Sequence, residues 1–572
     1  MTSKIMEEFR KTAPAPLAPV PFNIPQPFET VLENGLKIVI FEDRRFPLVS
    51  FRLAFSVGNS KDSSDEVGLT SAMVSMLNEG TLNHTSKELA EKIERLGAHL
   101  SANSGSDNII VSGSTLTFYS EEILALMAEL INTPTFPESE LNLYKQNTIE
   151  NLKYQRSQAS FLADEQVSRI IFGEHPYHRT SPKVADVESI SREKLVALHA
   201  KTFIPNIATM IIVGDVEREE LLRQIEDNFG GWQKGISTEI EFPAPPERSE
   251  MTLTIVDRKG SAQSNIVLAN LAIERNHPDY FAVLMMNQIL GAGASSRLFM
   301  NLREEKGYTY GAYSSFDARR LLGAFEATSE VRSAVTGESL KEFFYELNRI
   351  RDEKVSEQEL ADAKNFLTGV FPIRAETQEG LTNLIVSQKL HNLPDDYLQT
   401  YRDKINEITL EDVECVAKKY IHPDKMAIVI VGDAEEILPQ SKNYTANIEI
   451  FDTEGNAQDI TNYGKVMETP TIDLTGNWDL TIDFQGQQIP VSLSLVQTDG
   501  KISGKLESML GEGKIENGKV SGNKFSAVAT TEMQGQSLEI SISGTFENDL
   551  LTGTLSAPMI PMPLDFSGKR GE

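Results

Sequence analysis

The sequence predicts two homologous α+β units in tandem followed by a small all-β domain, an antiparallel barrel or sandwich. Three observations carry that prediction. The first is an internal duplication. AKTFIPNIATMIIVGDVEREEL at 200–221 and AKKYIHPDKMAIVIVGDAEEIL at 417–438 share an aromatic-Ile pair, a Pro, a Met-led β-branched run and Val-Gly-Asp before an acidic helix start. A match of that length, about 217 residues apart, marks a repeat. The second is that strand runs alternate with helical runs inside each unit, which gives a sheet with helices on one face. The third is a change after about residue 440. From residue 471 short alternating runs such as TGNWDLTIDF, VSLSLVQ, KISGKLES and SLEISISGTFE are separated by turns.

Each element follows from local chemistry. Six prolines (Pro14, Pro16, Pro19, Pro21, Pro25 and Pro27) predict an extended arm over 1–27. The first unit, 28–240, opens with LENGLKIVIFEDRRFPLVSFRLAFSVG, in which Asn34-Gly35 supplies a tight turn between β-branched strands. A helix over 86–96 is expected to be capped by Ser86, to turn Leu89, Ile93 and Leu96 to one face and to stop at Gly97. The Pro-rich joint FPAPPERSE at 242–250 leads to the second unit, 251–440. Residues 441–470 are polar and weakly periodic and read as a linker. The all-β domain occupies 471–572, with Asn517-Gly518 as its strongest hairpin turn. Its Gly476-Asn477-Trp478 start resembles the Gly-x-Trp of lipocalin-like barrels, and Trp478 reads as a core anchor rather than the wall of a ligand cup.

Composition narrows the function. The formal net charge of −29, from 83 acidic and 54 basic residues, argues against nucleic acid and anionic membrane surfaces and favours cationic peptides or a basic partner. The single cysteine, Cys415, excludes an intramolecular disulfide framework and a cysteine metal cluster, and its helical setting reads as a buried, inert thiol. No run approaches the roughly 18 apolar residues of a membrane span, and the N-terminus lacks a secretory apolar run. The expected location is cytoplasmic as the sequence stands, or periplasmic if a signal peptide has been removed.

The most informative segment is GLTSAMVSMLNEGT at 68–81. It resembles the pitrilysin family of inverted zinc peptidases, whose helix carries H-x-x-E-H between a Gly-Leu start and a Met-Leu-x-x-Gly-Thr end. Ser71 and Ser75 stand in the two His positions and Val74 in the Glu position. The family's third ligand, a Glu further along, falls by spacing on Asn151, beside Glu150. Zinc needs three ligands from His, Cys or carboxylate plus an open position, and these residues supply neither ligands nor a base. No cofactor is therefore expected in this chain. No His or Lys lies near Ser71 or Ser75 in sequence to activate a serine.

A second segment, GAGASSRLFMNLREEKGYTYGAYSSF at 291–316, resembles the non-zinc half of the same family. There an Arg and a Tyr seven residues later reach towards substrate, and Arg303 and Tyr310 have that spacing. A guanidinium offers forked donors to a peptide carbonyl or carboxylate, and a phenol can donate to a developing oxyanion. Gly291 and Gly293 let the chain bend before the helix and Ser296 caps it; the three are expected to complete the substrate-binding surface. Other candidates have plainer readings. His175 and His178 share an H-x-x-H spacing but are broken by Pro176 and read as a structural loop, and Glu91 and Glu94 read as a solvated helix face.

The resemblance implies a non-catalytic subunit of a split zinc peptidase. A homologous partner chain would hold the zinc, and this chain would bring Arg303 and Tyr310 to a peptide between them. The alternative from the same family is an inactive structural or peptide-binding scaffold. A neighbouring reading frame encoding a similar chain with H-x-x-E-H separates the two.

Overall fold

The computed structural model describes residues 24, 26–237, 240–463, 472–484, 487–498, 500–508, 511–533, 536–547, 549–556 and 563–571. The chain divides into two compact units, Met1–Ile460 and Thr461–Glu572. The expected Pro-rich arm lies almost wholly outside the described residues.

Within the first unit the duplication becomes two sheets. One has the spatial order Phe28–Val31, Lys37–Glu42, Ala208–Gly214, Leu48–Phe55, Ile109–Leu116, His99–Ser104. The other runs Ala457–Gln458, Ile448–Phe451, Thr252–Asp257, Ala427–Gly432, Gln263–Ala272, Gly323–Arg332, Thr309–Ala318. The repeat strands Ala208–Gly214 and Ala427–Gly432 take matching inner positions, each parallel to one neighbour and antiparallel to the other. Their unbroken β-branched runs suit strands covered on both faces. At the first turn Gly35 has φ +87°, the left-handed region glycine adopts without strain, and Asn34 Nδ2 donates to the Phe229 carbonyl at 2.7 Å.

Helices were expected on one face of each sheet; both faces are covered, because the halves exchange a helix. Gln378–Leu390, from the second half, packs on Leu48–Phe55 and Ala208–Gly214 of the first sheet. Ala159–Phe172, from the first half, packs on Gln263–Ala272 and Ala427–Gly432 of the second. Along Leu48–Phe55 the residues Val49, Phe51, Leu53 and Phe55 enter the main core. Arg52 leaves on the opposite face, where it donates to Glu379 Oε1 at 2.9 Å and Asn383 Oδ1 at 3.3 Å of the exchanged helix. The reciprocal contact is apolar: Leu162, Val167 and Ile171 pack with Val267, Val429 and Val431.

Several expectations need correction. The segment 441–470 is not simply a linker: Ile448–Phe451 adds a strand parallel to Thr252–Asp257, with Ile450 buried. That strand flanks Thr252–Asp257 as Phe28–Val31 flanks Lys37–Glu42 in the first sheet, and Ala457–Gln458 forms the edge beyond it. Thr85, not Ser86, caps the helix Ser86–Arg95, in a reciprocal pair with Glu88: the Glu88 amide donates to Thr85 Oγ1 at 3.3 Å and the Thr85 amide to Glu88 Oε2 at 2.8 Å. Cys415 is exposed, because Val413, Val416 and Ala417 form the buried side of its helix.

The second unit is a closed antiparallel barrel of eight strands from Gly476–Phe484 to Leu564–Arg570, each pairing with the next and the last with the first. Trp478 is fully buried among Leu480, Leu493, Ile515 and Leu551, and its Nε1 donates to the Leu474 carbonyl at 2.9 Å, so it is the core anchor expected. Asn517-Gly518, however, makes no hairpin. It is a bulge inside the single strand Gly511–Ser521. Ile515 and Val520 are five positions apart and would face opposite sides of a regular strand; the irregularity lets both enter the core.

Two outcomes test this architecture. A chain ending after Tyr463 is expected to melt as the first unit does in the full chain, whereas one ending after Ser441 loses Ile450 and its strand, at a cost of about 2 kcal/mol or more. Equal melting of the two truncations in calorimetry would show that the strand adds nothing. The other outcome concerns Glu326 on Gly323–Arg332. Burial, with Asp164 of the exchanged helix and Asp317 adding to it and Arg319 opposing, pushes its carboxyl from 4.5 up to about 7. The folded state thus holds a proton that the unfolded chain releases. This contribution is complete below about pH 4.5 and is lost as the pH rises through about 7. Glu326→Gln should raise the melting temperature at pH 8 and change it little at pH 4.5, by thermal unfolding at both values; a variant less stable than the parent at pH 8 contradicts this.

Candidate functional site

The helix Leu69–Ser75 is built on Asp62. Gly68 sits at φ +88° just before Leu69–Ser75. The Asp62 carboxylate accepts from the Gly68 amide at 3.0 Å, the Thr70 amide at 3.2 Å and Thr70 Oγ1 at 2.5 Å, covering the free donors of the first turn. Arg179 donates to the Asp62 carbonyl at 2.5 Å. Burial raises the Asp62 carboxyl to about 6, against the lowering effect of these hydrogen bonds. A carboxylate six residues before a glycine is a faint signal, and the sequence alone does not single out Asp62.

Along this helix the positions expected from the sequence to correspond to zinc-site residues lie in different environments. Val74 is 1% exposed and belongs to the main core, so no base can be placed there without burying a charge. The hydroxyls of Ser71 and Ser104, the latter on the edge strand His99–Ser104, lie 3.2 Å apart. Ser75 is exposed and hydrogen-bonded to the Tyr144 phenol, whose ionisation is pushed up by burial. Asn151 is exposed on Glu138–Arg156, and the neighbouring Glu150 is bound by Lys153 at 2.7 Å. Hydroxyls, a phenol and an amide do not suit zinc, and no group of three or more His, Cys, Asp or Glu able to hold a metal occurs among the described residues. His175 is buried and accepts at Nδ1 from the Tyr177 amide at 3.2 Å, as a structural loop should.

Arg303 and Tyr310 lie in the second half. Arg297–Phe299 continues as a π-turn, Met300–Glu305, a local widening common where helices carry function. Arg303 projects from it with its guanidinium 4.7 Å from the Phe299 ring centre and 3.5 Å from Glu304. Tyr310 is 90% exposed on Thr309–Ala318, the edge strand of the second sheet. An aromatic ring left in water on a sheet edge contributes nothing to the core.

The glycines and Ser296 divide. Gly291 is buried, its carbonyl accepts from the Ser314 amide at 2.9 Å, and a Cβ there would meet Ser314 N at 2.3 Å. Its role is close backbone approach. Ser296 is buried at the N-cap and makes no side-chain cap bond, while Gly293 is partly exposed in the bend. Of the expected substrate-binding trio, only Gly293 reaches the surface.

Sequence comparison matches two models of one family to the first unit. The insulinase (peptidase family M16) model matches residues 37–182, and the model for the peptidase M16 inactive domain matches 189–367. The chain belongs to the M16 family. Its relatives include the non-peptidase homolog YmxG of Helicobacter pylori, 25% identical over 417 residues, or 70% of this chain and 94% of that protein. The uncharacterized zinc protease YmxG of Bacillus subtilis is 22% identical over 406 residues, 68% of this chain and 95% of its own length. Among solved structures, an M16 inactive domain from Pseudomonas fluorescens is 28% identical, with a TM-score of 0.67 over 71% of this chain and 98% of its own. A protease from Helicobacter pylori, at 18% identity, shares the fold with a TM-score of 0.66 over 71% of this chain and all of its own. Neither M16 family model reaches the barrel. Among the described residues no helix is long and apolar enough to cross a membrane.

The residues at the zinc positions carry a direct expectation. After dialysis against zinc and removal of excess, the isolated chain should retain well under one zinc per chain by elemental analysis. One tightly held zinc per chain would overturn this reading of Ser71, Val74, Ser75 and Asn151.

Proposed function

We propose that this chain is the non-catalytic, substrate-binding subunit of a heteromeric M16 zinc peptidase. Its zinc is held by a homologous partner chain, and this chain contributes Arg303 and Tyr310. The observation that carries the reading is a contrast between the halves. The zinc positions hold Ser71, Val74 and Ser75, with Val74 absorbed into the core, whereas Arg303 and Tyr310 stand exposed on the second half. Arg303 is suited to holding a peptide carbonyl or carboxylate by two parallel donors. Tyr310 is suited to donating to the oxygen of a scissile carbonyl as it gains charge, an interaction stronger in the transition state than in the ground state. The acidic character of the chain favours basic peptides.

The name non-peptidase homolog, borne by a relative that aligns with 70% of this chain, supports a second reading as an inactive peptide-binding scaffold. Kinetics of the reconstituted pair separates the two. With the partner present, Tyr310→Phe should lower kcat about a hundredfold with KM nearly unchanged, the usual loss for one oxyanion donor. Arg303→Ala should lower kcat/KM further and also raise KM. Partner affinity is measured alongside. If both variants assemble and cleave at the parent rate, the pair is structural and the scaffold reading replaces this one.

A further inference from the structure

Arg303 rests on a ring. Its side chain is 45% exposed, and among the described residues its guanidinium meets the Phe299 ring centre at 4.7 Å and Glu304 at 3.5 Å, the latter too far for a charge-assisted hydrogen bond. Phe299 is 3% exposed and stands four residues before Arg303, the spacing that brings side chains together on a helix. A guanidinium laid on a ring keeps its N–H donors in its own plane, where they point past the ring and stay open to a ligand.

The ring is itself braced. Tyr313, on the strand Thr309–Ala318, meets Phe299 with ring centres 5.6 Å apart and a tilt of 49°. The Tyr313 ring in turn lies across Gly311, where a Cβ would meet Tyr313 Cε2 at 2.6 Å and the phenol oxygen at 2.9 Å. Gly311 is not at positive φ, so its backbone does not call for glycine. A glycine inside a strand weakens it, and close approach of the Tyr313 ring is the reason for this one. Tyr313 keeps 45% of its surface in water, so the arrangement adds little to the core. Gly311, Tyr313, Phe299 and Arg303 form one stack, and Gly311 directly follows Tyr310 in the chain.

We propose that Phe299 is the positioning residue for Arg303, and that Tyr313, laid over Gly311, fixes Phe299. This deepens the reading above and rests on it, since Arg303 is the residue aimed at substrate. Crystal structures of the full-length chain test the placement without a partner. Phe299→Leu and Gly311→Ala should each take Arg303 off its parent position; the alanine displaces only the outer end of an exposed side chain, so that variant folds. Arg303 unmoved in either variant overturns the proposal. Kinetics of the reconstituted pair test the consequence. Mono-, di- and trifluorophenylalanine at position 299 nearly keep the shape of the ring while weakening its negative face in steps. The value of kcat/KM should fall at each step, to about fivefold in all, and stay level in an Arg303→Ala background. Gly311→Ala should raise KM, as Arg303→Ala does. A fall in kcat with KM unchanged would place its effect on Tyr310 and overturn the proposal, as would a level kcat/KM across the fluorinated rings. If Arg303→Ala cleaves like the parent, the peptidase reading fails, and the crystal structures alone decide the stack.

Discussion

The inner strands of the two sheets in the first unit, Ala208–Gly214 and Ala427–Gly432, are apolar on both faces, and strands of that kind cannot leave either face in water. The exchange of helices between the halves answers this constraint. Gln378–Leu390 covers the outer face of the first sheet, and Ala159–Phe172 covers that of the second. Neither half could bury its own sheet alone, so the two are one folding body, as the single compact unit Met1–Ile460 reflects. The exchange also decides where charges are tolerated. Arg52 is buried on a strand because Glu379 and Asn383 arrive with the exchanged helix, and Asp164 of the other exchanged helix adds to the burial that raises the Glu326 carboxyl. Both are consequences of a helix crossing from one half to the other.

The same framework explains how the helix Leu69–Ser75 is held without any metal ligand of its own. What holds Leu69–Ser75 in place is Gly68 at positive φ, the Asp62 carboxylate on its first turn, and Leu69, Ala72 and Met73 in the core. None of these is a metal ligand. Ser71 and Ser75 face outward or along the sheet edge, where they settle into hydroxyl contacts at little cost, and Val74 points inward into the core. Chemistry and fold were thus separable on this helix. On the second half the separation runs the other way: Gly291 is fixed by backbone contact with Ser314, while Arg303 and Tyr310 could be altered without disturbing any core.

The sequence by itself determined the two-unit plan, the all-β tail, the family frame around residues 68–81 and 291–316, and the absence of zinc-ligand types at Ser71, Val74, Ser75 and Asn151. All of these are written in local pattern: β-branched runs, turn residues, and residue types at fixed spacing. Local pattern misled where two local solutions compete, as at Ser86, which lost the cap to Thr85, and at Asn517-Gly518, a turn by composition but a bulge by pairing. Only the tertiary structure decided which sheet each helix covers, that Ile448–Phe451 joins a sheet, and that Cys415 faces water. Those facts depend on which distant surfaces meet, and burial is a property of the assembled core that no run of neighbouring residues encodes.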